Sequence, residues 1–309
     1  MNTHLETKAL FAGYNPADNH GAVKPPMHPA STFVFPSAAV GAAHMETAYG
    51  VDGAETPPEG GFIYSRLGNP TLSVAETRLA AWDESDAAAF FASGMAAIST
   101  MLFALTGPDK PIWYVGPLYG GTQHIVDDTL PSMGVSVKSM ESLDDLASVT
   151  EADGLPGMIY LETPANPTLQ IHSIKAAADW AKNNSSEDHR IIVAVDNTFL
   201  GPIIQRPLEL GADLNVYSAT KYIGGHSDLI AGAVSGEAAA MAKVFEYRTF
   251  FGGMADPYTS WMLSRSMETL QVRVARQISS ARLILDHIQE APGTPVYGIS
   301  KIYSAWAED

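Results

Sequence analysis

Cysteine is absent from this chain of 309 residues. The absence excludes disulfides, thiolate zinc sites and a thiol nucleophile within the chain, and it fits a reducing compartment. Basic residues are also scarce, with 18 against 34 acidic ones and a net charge of −16. A surface of that sign repels nucleic acid and anionic membranes. We therefore expect neither as a partner.

Two kinds of targeting segment are absent as well. No apolar run reaches the length of about 18 residues that indicates a membrane-spanning helix. The start, MNTHLETKALFAGYNP, lacks the basic stretch and following apolar stretch of a secretory signal peptide. The sequence therefore predicts a cytoplasmic protein.

The composition and the hydrophobic pattern of the sequence change at Phe62. Residues 1–61 are rich in Pro, Gly and Ala, and we interpret them as an N-terminal arm with an exposed loop at Ala54–Gly61. From Phe62 onward, short apolar runs alternate with helical patterns, which is typical of βα units around a parallel sheet. We expect a ligand-binding α/β domain over 62–256 and a linking helix with a further segment over 257–309.

The apolar runs give the positions of the strands. The predicted strands are Ala87–Ala92, Ile112–Val115, Val135–Lys138, Met158–Leu161, Ile191–Val195, Leu214–Tyr217 and Ala231–Ser235. Helices are predicted between them, for example over Met95–Leu105 and Ile174–Asn183. In open α/β sheets, ligands bind beyond the carboxyl ends of the strands. The residues that follow these runs include Ser93, Gly94, Met95, Tyr119, Glu162, Asp196, Ser218, Thr220 and Lys221.

Lys221 has unusual neighbours along the chain. It lies in VYSATKYIGGHSDLIAGAV, residues 216–234. The nearest charged residues along the chain are Asp213, before this stretch, and Asp228, within it. Apolar surroundings lower the pKa of a lysine, because desolvation disfavours its charged form. A neutral amine attacks carbonyl groups and forms Schiff bases. Taken alone, Lys221 also fits a structural role near the start of a helix.

The neighbouring strand ends favour one cofactor. Pyridoxal phosphate needs a lysine for its aldehyde, a carboxylate for its ring nitrogen, an aromatic face and a phosphate cup. Asp196 ends an apolar strand and suits the carboxylate, although it also fits a helix cap. Tyr119 suits the aromatic face, although it also fits the core. Gly94 and Met95 open a helix whose free N–H groups attract phosphate.

Hydroxyl and guanidinium groups add to the phosphate cup. Ser218 and Thr220 precede the lysine and offer hydroxyl donors. Arg66 is a natural bidentate phosphate partner, and Tyr64 lies on the same side of a predicted extended segment. Both also fit an ordinary surface position.

Other site types are not supported. His226 and Asp228 have no third ligand in register, so we predict no metal site. Neither a Walker loop nor a G-x-S-x-G nucleophile elbow occurs.

Six ordered motifs carry a family resemblance. They are YSRLGNPT, ASGMAAI, LYGGT, ETPANPT, VDNTF and SATKYIGGHSD, within a resemblance from about Thr3 to Glu290. The chain resembles the pyridoxal-phosphate-dependent Cys/Met-metabolism enzymes of fold type I. This group contains cystathionine γ-synthase, the cystathionine γ- and β-lyases, methionine γ-lyase and the O-acylhomoserine sulfhydrylases. The resemblance implies a mostly parallel sheet flanked by helices, with an N-terminal arm and a shortened C-terminal domain.

The resemblance also implies roles for individual residues. Lys221 resembles the lysine that holds the cofactor and shuttles protons. Asp196 resembles the partner of the ring nitrogen, and Tyr119 the stacking tyrosine with an acid–base role. The residues that resemble the phosphate cup are Ser93, Gly94, Met95, Ser218 and Thr220.

Five further residues complete the implied site. Tyr64 and Arg66 match residues that reach the phosphate of a neighbouring subunit, so a homo-oligomer, dimer or tetramer, with shared sites is implied. Asn166 resembles an asparagine near the ring hydroxyl and the substrate carboxylate. Glu162 resembles a supporting acid, and Thr198 a threonine close to the ring.

The implied activity is elimination or replacement at the β- or γ-carbon of cystathionine, methionine or an O-acylhomoserine. Methionine γ-lyase and O-acylhomoserine sulfhydrylase are the alternatives. Gly121 stands where the best-known methionine γ-lyases carry a cysteine, which disfavours that reading. An α/β binding protein without a cofactor is a third hypothesis of another class.

The C-terminal part departs from the family pattern. A single linking helix is predicted over Pro257–Glu290, followed by APGTPVYGISKIYSAWAED, which does not resemble the family. We expect most of the C-terminal domain, with the arginine that grips the substrate carboxylate, to be missing. A truncated protein that binds cofactor and turns over little is therefore the alternative, unless Arg248, Arg265 or the tail replaces that grip.

Overall fold

The computed structural model describes residues 4–55, 61–150 and 154–289. Most of the predicted loop Ala54–Gly61 and the unusual tail from residue 290 onward lie outside the described residues.

Within these ranges, seven strands form one sheet. They are β1 (Ala87–Phe91), β2 (Ile112–Val115), β3 (Val137–Met140), β4 (Met158–Glu162), β5 (Ile192–Asp196), β6 (Leu214–Tyr217) and β7 (Gly232–Gly236). Their order is β1-β7-β6-β5-β4-β2-β3, and β7 is antiparallel to both of its neighbours while the other pairs are parallel. The predicted fold class, a mostly parallel α/β sheet, is confirmed.

Helices cover both faces of this sheet. They are α1 (Leu5–Phe11), α2 (Ala38–Ala48), α3 (Pro70–Asp83), α4 (Gly94–Leu105), α5 (Gly120–His124), α6 (Leu130–Ser132), α7 (Ile174–Asn184), α8 (Gly201–Ile204), α9 (Ala238–Phe251), α10 (Pro257–Met267) and α11 (Leu270–Gln289). Strands that are covered on both sides bury every residue, which explains why β4 and β6 are almost continuously apolar. No helix in the described ranges is long and apolar enough to cross a bilayer.

The core follows the alternation of side chains along the strands. Phe91 packs in one cluster with residues of α4 and α9. Its neighbour Phe90 packs on the opposite face with residues of α3, α10 and α11, while α7 packs over β4 and β5. Ala9 of α1 is buried in the same cluster as Phe90, so part of the predicted arm contributes to the core.

Two predicted elements are corrected by the structure. Strand β3 begins at Val137, because Val135 instead closes the turn after α6 through its N–H to the carbonyl of Leu130. The single linking helix is wrong: it is broken between α10 and α11. At the break, the Glu268 carboxylate pairs with Lys24 and Arg78, which ties the break to the arm and α3.

Candidate active site

A cavity of about 790 Å³ lies where the carboxyl ends of β4, β5 and β6 meet the N-terminus of α4. This is the edge at which open α/β sheets bind ligands. It is lined by most of the residues predicted for the site, namely Ser93, Gly94, Met95, Tyr119, Glu162, Asn166, Asp196, Thr198, Ser218, Thr220 and Lys221.

Two carboxyl groups lie side by side at the base of the site. Glu162 and Asp196 are register partners on β4 and β5, with only 4% and 6% of their surface exposed. Burial raises the pKa of Asp196. Burial, and then the charge of Asp196, raise the pKa of Glu162 to about 7. A cation placed beside Asp196 would favour the ionised carboxylate, which burial disfavours. The cation and the carboxylate would therefore form a strong ion pair.

Glu162 also holds two loops in place. One carboxylate oxygen accepts a hydrogen bond from the Tyr119 N–H at 2.7 Å, and the other accepts from the Asn166 N–H at 2.8 Å. Tyr119 follows β2 and Asn166 follows β4. Glu162 thus fixes the backbone of two predicted site residues that are distant in sequence.

Asp196 is oriented by two neighbours, Thr198 and Tyr160. Its Oδ1 accepts from the Thr198 N–H at 3.0 Å, and the Thr198 hydroxyl in turn accepts from the Ser218 N–H at 2.8 Å. The Tyr160 hydroxyl donates to Oδ2 at 3.5 Å. Burial and the charges of Asp196 and Glu162 raise the pKa of Tyr160 well above its ordinary value, so the hydroxyl keeps its proton. Sequence reasoning missed Tyr160, because a tyrosine inside an apolar strand gives no signal beyond that of a core residue.

The N-terminus of α4 provides free hydrogen-bond donors. Ser93 caps the helix, with its hydroxyl accepting from the Ala96 N–H and its carbonyl from the Ala97 N–H. The N–H groups of Gly94 and Met95 are the remaining donors of the first turn. They lie at the positive end of the helix dipole and suit a phosphate.

Gly94 is required by a close approach. A Cβ atom at this position would lie 2.9 Å from the Cβ of Ser218. The helix start therefore packs directly against the loop after β6. Of the two candidate hydroxyls in that loop, Ser218 and Thr220, the Thr220 hydroxyl is already engaged. It donates to the Ala231 carbonyl and accepts from the Ala231 N–H.

Lys221 lies in the turn after β6, where its N–H donates to the Ser218 carbonyl at 3.0 Å. Its side chain lines the cavity and is exposed. The apolar neighbours of Lys221 along the sequence therefore do not bury it in the chain by itself. Among the described residues that line the cavity, Lys221 is the only cationic one.

Tyr119 lies at the rim, with 46% of its surface exposed. A Cβ atom at Gly121 would lie 2.9 Å from the Tyr119 ring and 2.8 Å from the sulfur of Met95. The Tyr119 ring and the Met95 side chain therefore both pack against Gly121, and the glycine leaves room for them.

Tyr64 and Arg66 lie outside the cavity of their own chain. The predicted extended segment is wrong, because a turn begins at Tyr64, whose carbonyl accepts from the N–H groups of Leu67 and Gly68. Arg66 donates to the Thr249 carbonyl at 2.7 Å and lies 5.8 Å from the centre of the Tyr64 ring.

The two arginines considered as substitutes for a missing carboxylate grip are also elsewhere. Arg248 is buried, pairs with Glu76 and donates to the Phe90 carbonyl. Arg265 lines a separate hollow between α10 and Lys24. Neither lines the cavity that holds Lys221.

The donor set fits pyridoxal phosphate. A lysine, a buried carboxylate, free N–H groups at a helix N-terminus and an exposed aromatic ring share one cavity. Together with the parallel sheet, they define the class of α/β enzymes that bind this cofactor.

The comparisons with known proteins give the family. Residues 6–303 match the family described as Cys/Met metabolism PLP-dependent enzyme. The prediction that the tail from residue 291 does not resemble the family is therefore wrong as far as residue 303. The chain belongs to this family, so the predicted family, enzyme class and cofactor are confirmed. A small-molecule amino-acid substrate is consistent with this family.

Relatives agree along nearly the whole chain. An L-methionine gamma-lyase of Pseudomonas deceptionensis is 37% identical over 294 residues, which is 94% of this chain and 70% of the relative. A cystathionine gamma-synthase of Mycobacterium tuberculosis is 34% identical over 288 residues, or 93% and 68% of the two chains. The crystal structure of a cystathionine gamma-lyase from Lactobacillus plantarum, complexed with L-serine, is similar with a TM-score of 0.81 and 31% identity, over 97% of this chain and 71% of that one.

Proposed function

We propose that this chain is a carbon–sulfur lyase or γ-replacement transferase of sulfur amino-acid metabolism. Its substrate would be cystathionine, methionine or an O-acylhomoserine, and its site of action the cytoplasm. The observation that carries the proposal is the cavity that Lys221 lines together with the buried carboxyls of Asp196 and Glu162.

The site residues that line the cavity would divide the tasks of such a reaction. When bound, pyridoxal phosphate supplies an aldehyde that captures amines and a charged ring that withdraws electrons from the substrate. Lys221 would hold the aldehyde and, once displaced by the substrate amine, take the proton from the substrate α-carbon. Asp196 would keep a proton on the ring nitrogen through its negative charge.

The remaining residues bind and orient. The N–H groups of Gly94 and Met95 and the hydroxyl of Ser218 would hold the phosphate, with Ser93 and Thr220 shaping the cup. Glu162 would fix the loops of Tyr119 and Asn166 through its two backbone hydrogen bonds. Tyr119, exposed at the rim, would transfer the proton needed at the leaving group.

More than one reaction of this type is a candidate. Relatives named methionine gamma-lyase and cystathionine gamma-synthase match the chain over similar lengths. Methionine γ-lyase activity is therefore a full alternative, and Gly121 would let Met95 line the site in place of a thiol. O-acylhomoserine sulfhydrylase activity is the other alternative.

We also propose that the protein works as a homodimer or homotetramer with shared sites. Tyr64 and Arg66 are exposed and lie away from the cavity of their own chain. An exposed guanidinium suits a phosphate held by a neighbouring copy.

A second candidate is a cofactor-binding protein with slow turnover. It is favoured by the lack of an arginine among the described residues of the cavity. A substrate carboxylate without a bidentate partner loses a charge-assisted hydrogen bond, which is worth about 1.5–3 kcal/mol.

A panel of substrates tests both candidates. Purified protein with pyridoxal phosphate would be assayed for ketoacid release from cystathionine and from methionine, and for product formation from O-succinylhomoserine and a thiol. Turnover of one of them supports the first candidate and names the reaction. Cofactor binding without turnover of any supports the second.

A further inference from the structure

The turn that carries Lys221 is held from within by short-range hydrogen bonds. The Lys221 carbonyl accepts from the Gly225 N–H at 2.7 Å, and the Ala219 carbonyl accepts from the Gly224 N–H at 2.8 Å. These bonds close the turn on itself. They leave the carbonyls of Tyr222 and Ile223 to be bonded from outside.

Arg273 of α11 bonds both of these carbonyls. One terminal nitrogen donates to the Tyr222 carbonyl at 2.9 Å, and the other donates to the Ile223 carbonyl at 3.3 Å. The second nitrogen also donates to the Ser266 carbonyl of α10 at 2.9 Å, and Nε donates to the Thr269 hydroxyl at 3.1 Å. One guanidinium thus joins the end of α10, the start of α11 and the turn after Lys221.

Among the described residues this guanidinium has no carboxylate partner, and its hydrogen bonds go to three carbonyl oxygens and one hydroxyl oxygen. Arg273 is half-buried, and burial lowers its pKa. Hydrogen bonds from a charged donor are about twice as strong as those from a neutral one. A lysine has no planar fork and cannot make the same set of bonds.

Gly225 makes room for the guanidinium. Its backbone has a φ of +76°, and a Cβ atom there would lie 1.9 Å from a terminal nitrogen of Arg273. The glycine is therefore required both by the left-handed backbone and by the approach of Arg273. One helical turn beyond Arg273, Gln277 lines the cavity, so the same face of α11 reaches the site.

We propose that Arg273 is a positioning residue, which fixes the turn of Lys221 so that its amine stays at the cavity. The inference rests on the proposed role of Lys221. Since the Lys221 side chain has no hydrogen bond or ion pair of its own in the described part of the chain, the backbone of the turn sets where the amine is. Misplacement by about 1 Å costs about a hundredfold in the rate of an oriented reaction.

The test measures how fast pyridoxal phosphate is captured by Lys221. Protein would be mixed with limiting cofactor, reduced with borohydride at timed intervals and digested, and the labelled peptide quantified. Arg273→Met removes every donor and keeps an unbranched, flexible side chain that reaches about as far as the Nε atom of arginine. We expect capture at Lys221 to slow by about ten- to a hundredfold, with a visible absorbance band whose pH profile is shifted.

Three companion variants separate positioning from general damage. Arg276→Met removes an exposed arginine of the same helix and should label like the wild type. Arg273→Lys should recover part of the rate, because it restores the charge and a donor. Gly225→Ala should slow labelling as Arg273→Met does, and the double variant should be no slower than the slower single one, since both changes remove one contact.

The outcomes distinguish this inference from the proposed function. If the wild type is labelled at Lys221 and folded Arg273→Met is labelled at the same rate, the inference about Arg273 is overturned and the proposed function stands. Failure of the wild type to be labelled at Lys221 overturns the proposed function as well. If Arg273→Met does not fold, Arg273→Lys decides: a wild-type rate and pH profile in that variant contradicts the role of the fork.

Discussion

Glu162 and Asp196 lie directly opposite each other at the carboxyl ends of the parallel strands β4 and β5, and both are buried. The pair divides two tasks. Glu162 accepts the N–H groups of two loops, whereas Asp196 is oriented by Thr198 and Tyr160. Under the proposed function, the two neighbouring acids and the lysine would attract a cationic ring and hold it in one orientation.

Replacing Asp196 tests the task assigned to it. Asp196→Asn keeps the shape and removes the charge, so we expect pyridoxal phosphate to bind about ten- to a hundredfold more weakly, the equivalent of about 1.5–3 kcal/mol. Titration followed by visible absorbance measures this. The control Asp179→Asn changes an exposed acid on α7 and should leave the affinity unaltered. Equal affinities of Asp196→Asn and wild type would remove Asp196 from the site.

Gly94 should tolerate no side chain. In Gly94→Ala the new methyl group would meet Ser218, so we expect a loss of about 1–3 kcal/mol in the free energy of unfolding and weaker cofactor binding. Gly107→Ala is the matched control, because a Cβ atom there meets nothing within 4 Å. Urea unfolding and cofactor titration of both variants provide the check. A Gly94→Ala protein that behaves like Gly107→Ala contradicts the close approach.

Asp83 should make stability depend on pH. It accepts hydrogen bonds from Tyr217 and Ser235 in the core, and burial raises its pKa from 3.8 to about 6. Because the folded state holds this proton more tightly, the stabilisation is present below the ordinary pKa and is lost as the pH rises through about 6. Two pKa units correspond to about 3 kcal/mol.

The comparison of wild type with Asp83→Asn isolates this effect, since the variant keeps the shape and does not titrate. Urea unfolding without cofactor would be followed between about pH 4 and pH 7. The free energy of unfolding of the wild type, relative to the variant, should fall as the pH rises. A constant difference would show that Asp83 titrates normally in the folded state.

Sharing of the site between subunits can be tested by mixing two inactive proteins. Arg66→Ala and Lys221→Ala chains, each inactive alone, should recover part of the activity after subunit exchange, because some mixed dimers hold one intact site. A mixture of either variant with itself is the control. A tag on one of the two chains would show whether subunits have exchanged. If they have exchanged and no activity is recovered, shared sites are contradicted.

Much of the fold and site could be predicted from local sequence. The buried strands are continuous apolar runs and polar residues follow at their ends, so the place of Asp196 and Lys221 at the cavity could be predicted from their positions. The six motifs then gave the family. Strand β3 was misplaced because Val135, though apolar, closes a turn.

Other features depend on contacts between distant residues. The break between α10 and α11 involves Lys24 and Arg78, which local periodicity does not reveal. Tyr160 lies in an apolar strand, and only its hydrogen bond to Asp196, on the neighbouring strand, connects it with the site. Arg273 lies some fifty residues from the turn it bonds, as the separation of 51 from Tyr222 shows. The exposure of Lys221 follows from the path of its turn and not from the residues beside it.

Covalent capture at Lys221 tests the central claim most directly. The protein would be incubated with pyridoxal phosphate, reduced with borohydride and digested, and the modified peptide identified by mass spectrometry. We predict a yellow protein and one dominant label on Lys221, with none in Lys221→Ala. A colourless protein, or a label that resides on other lysines and persists in Lys221→Ala, would contradict the account.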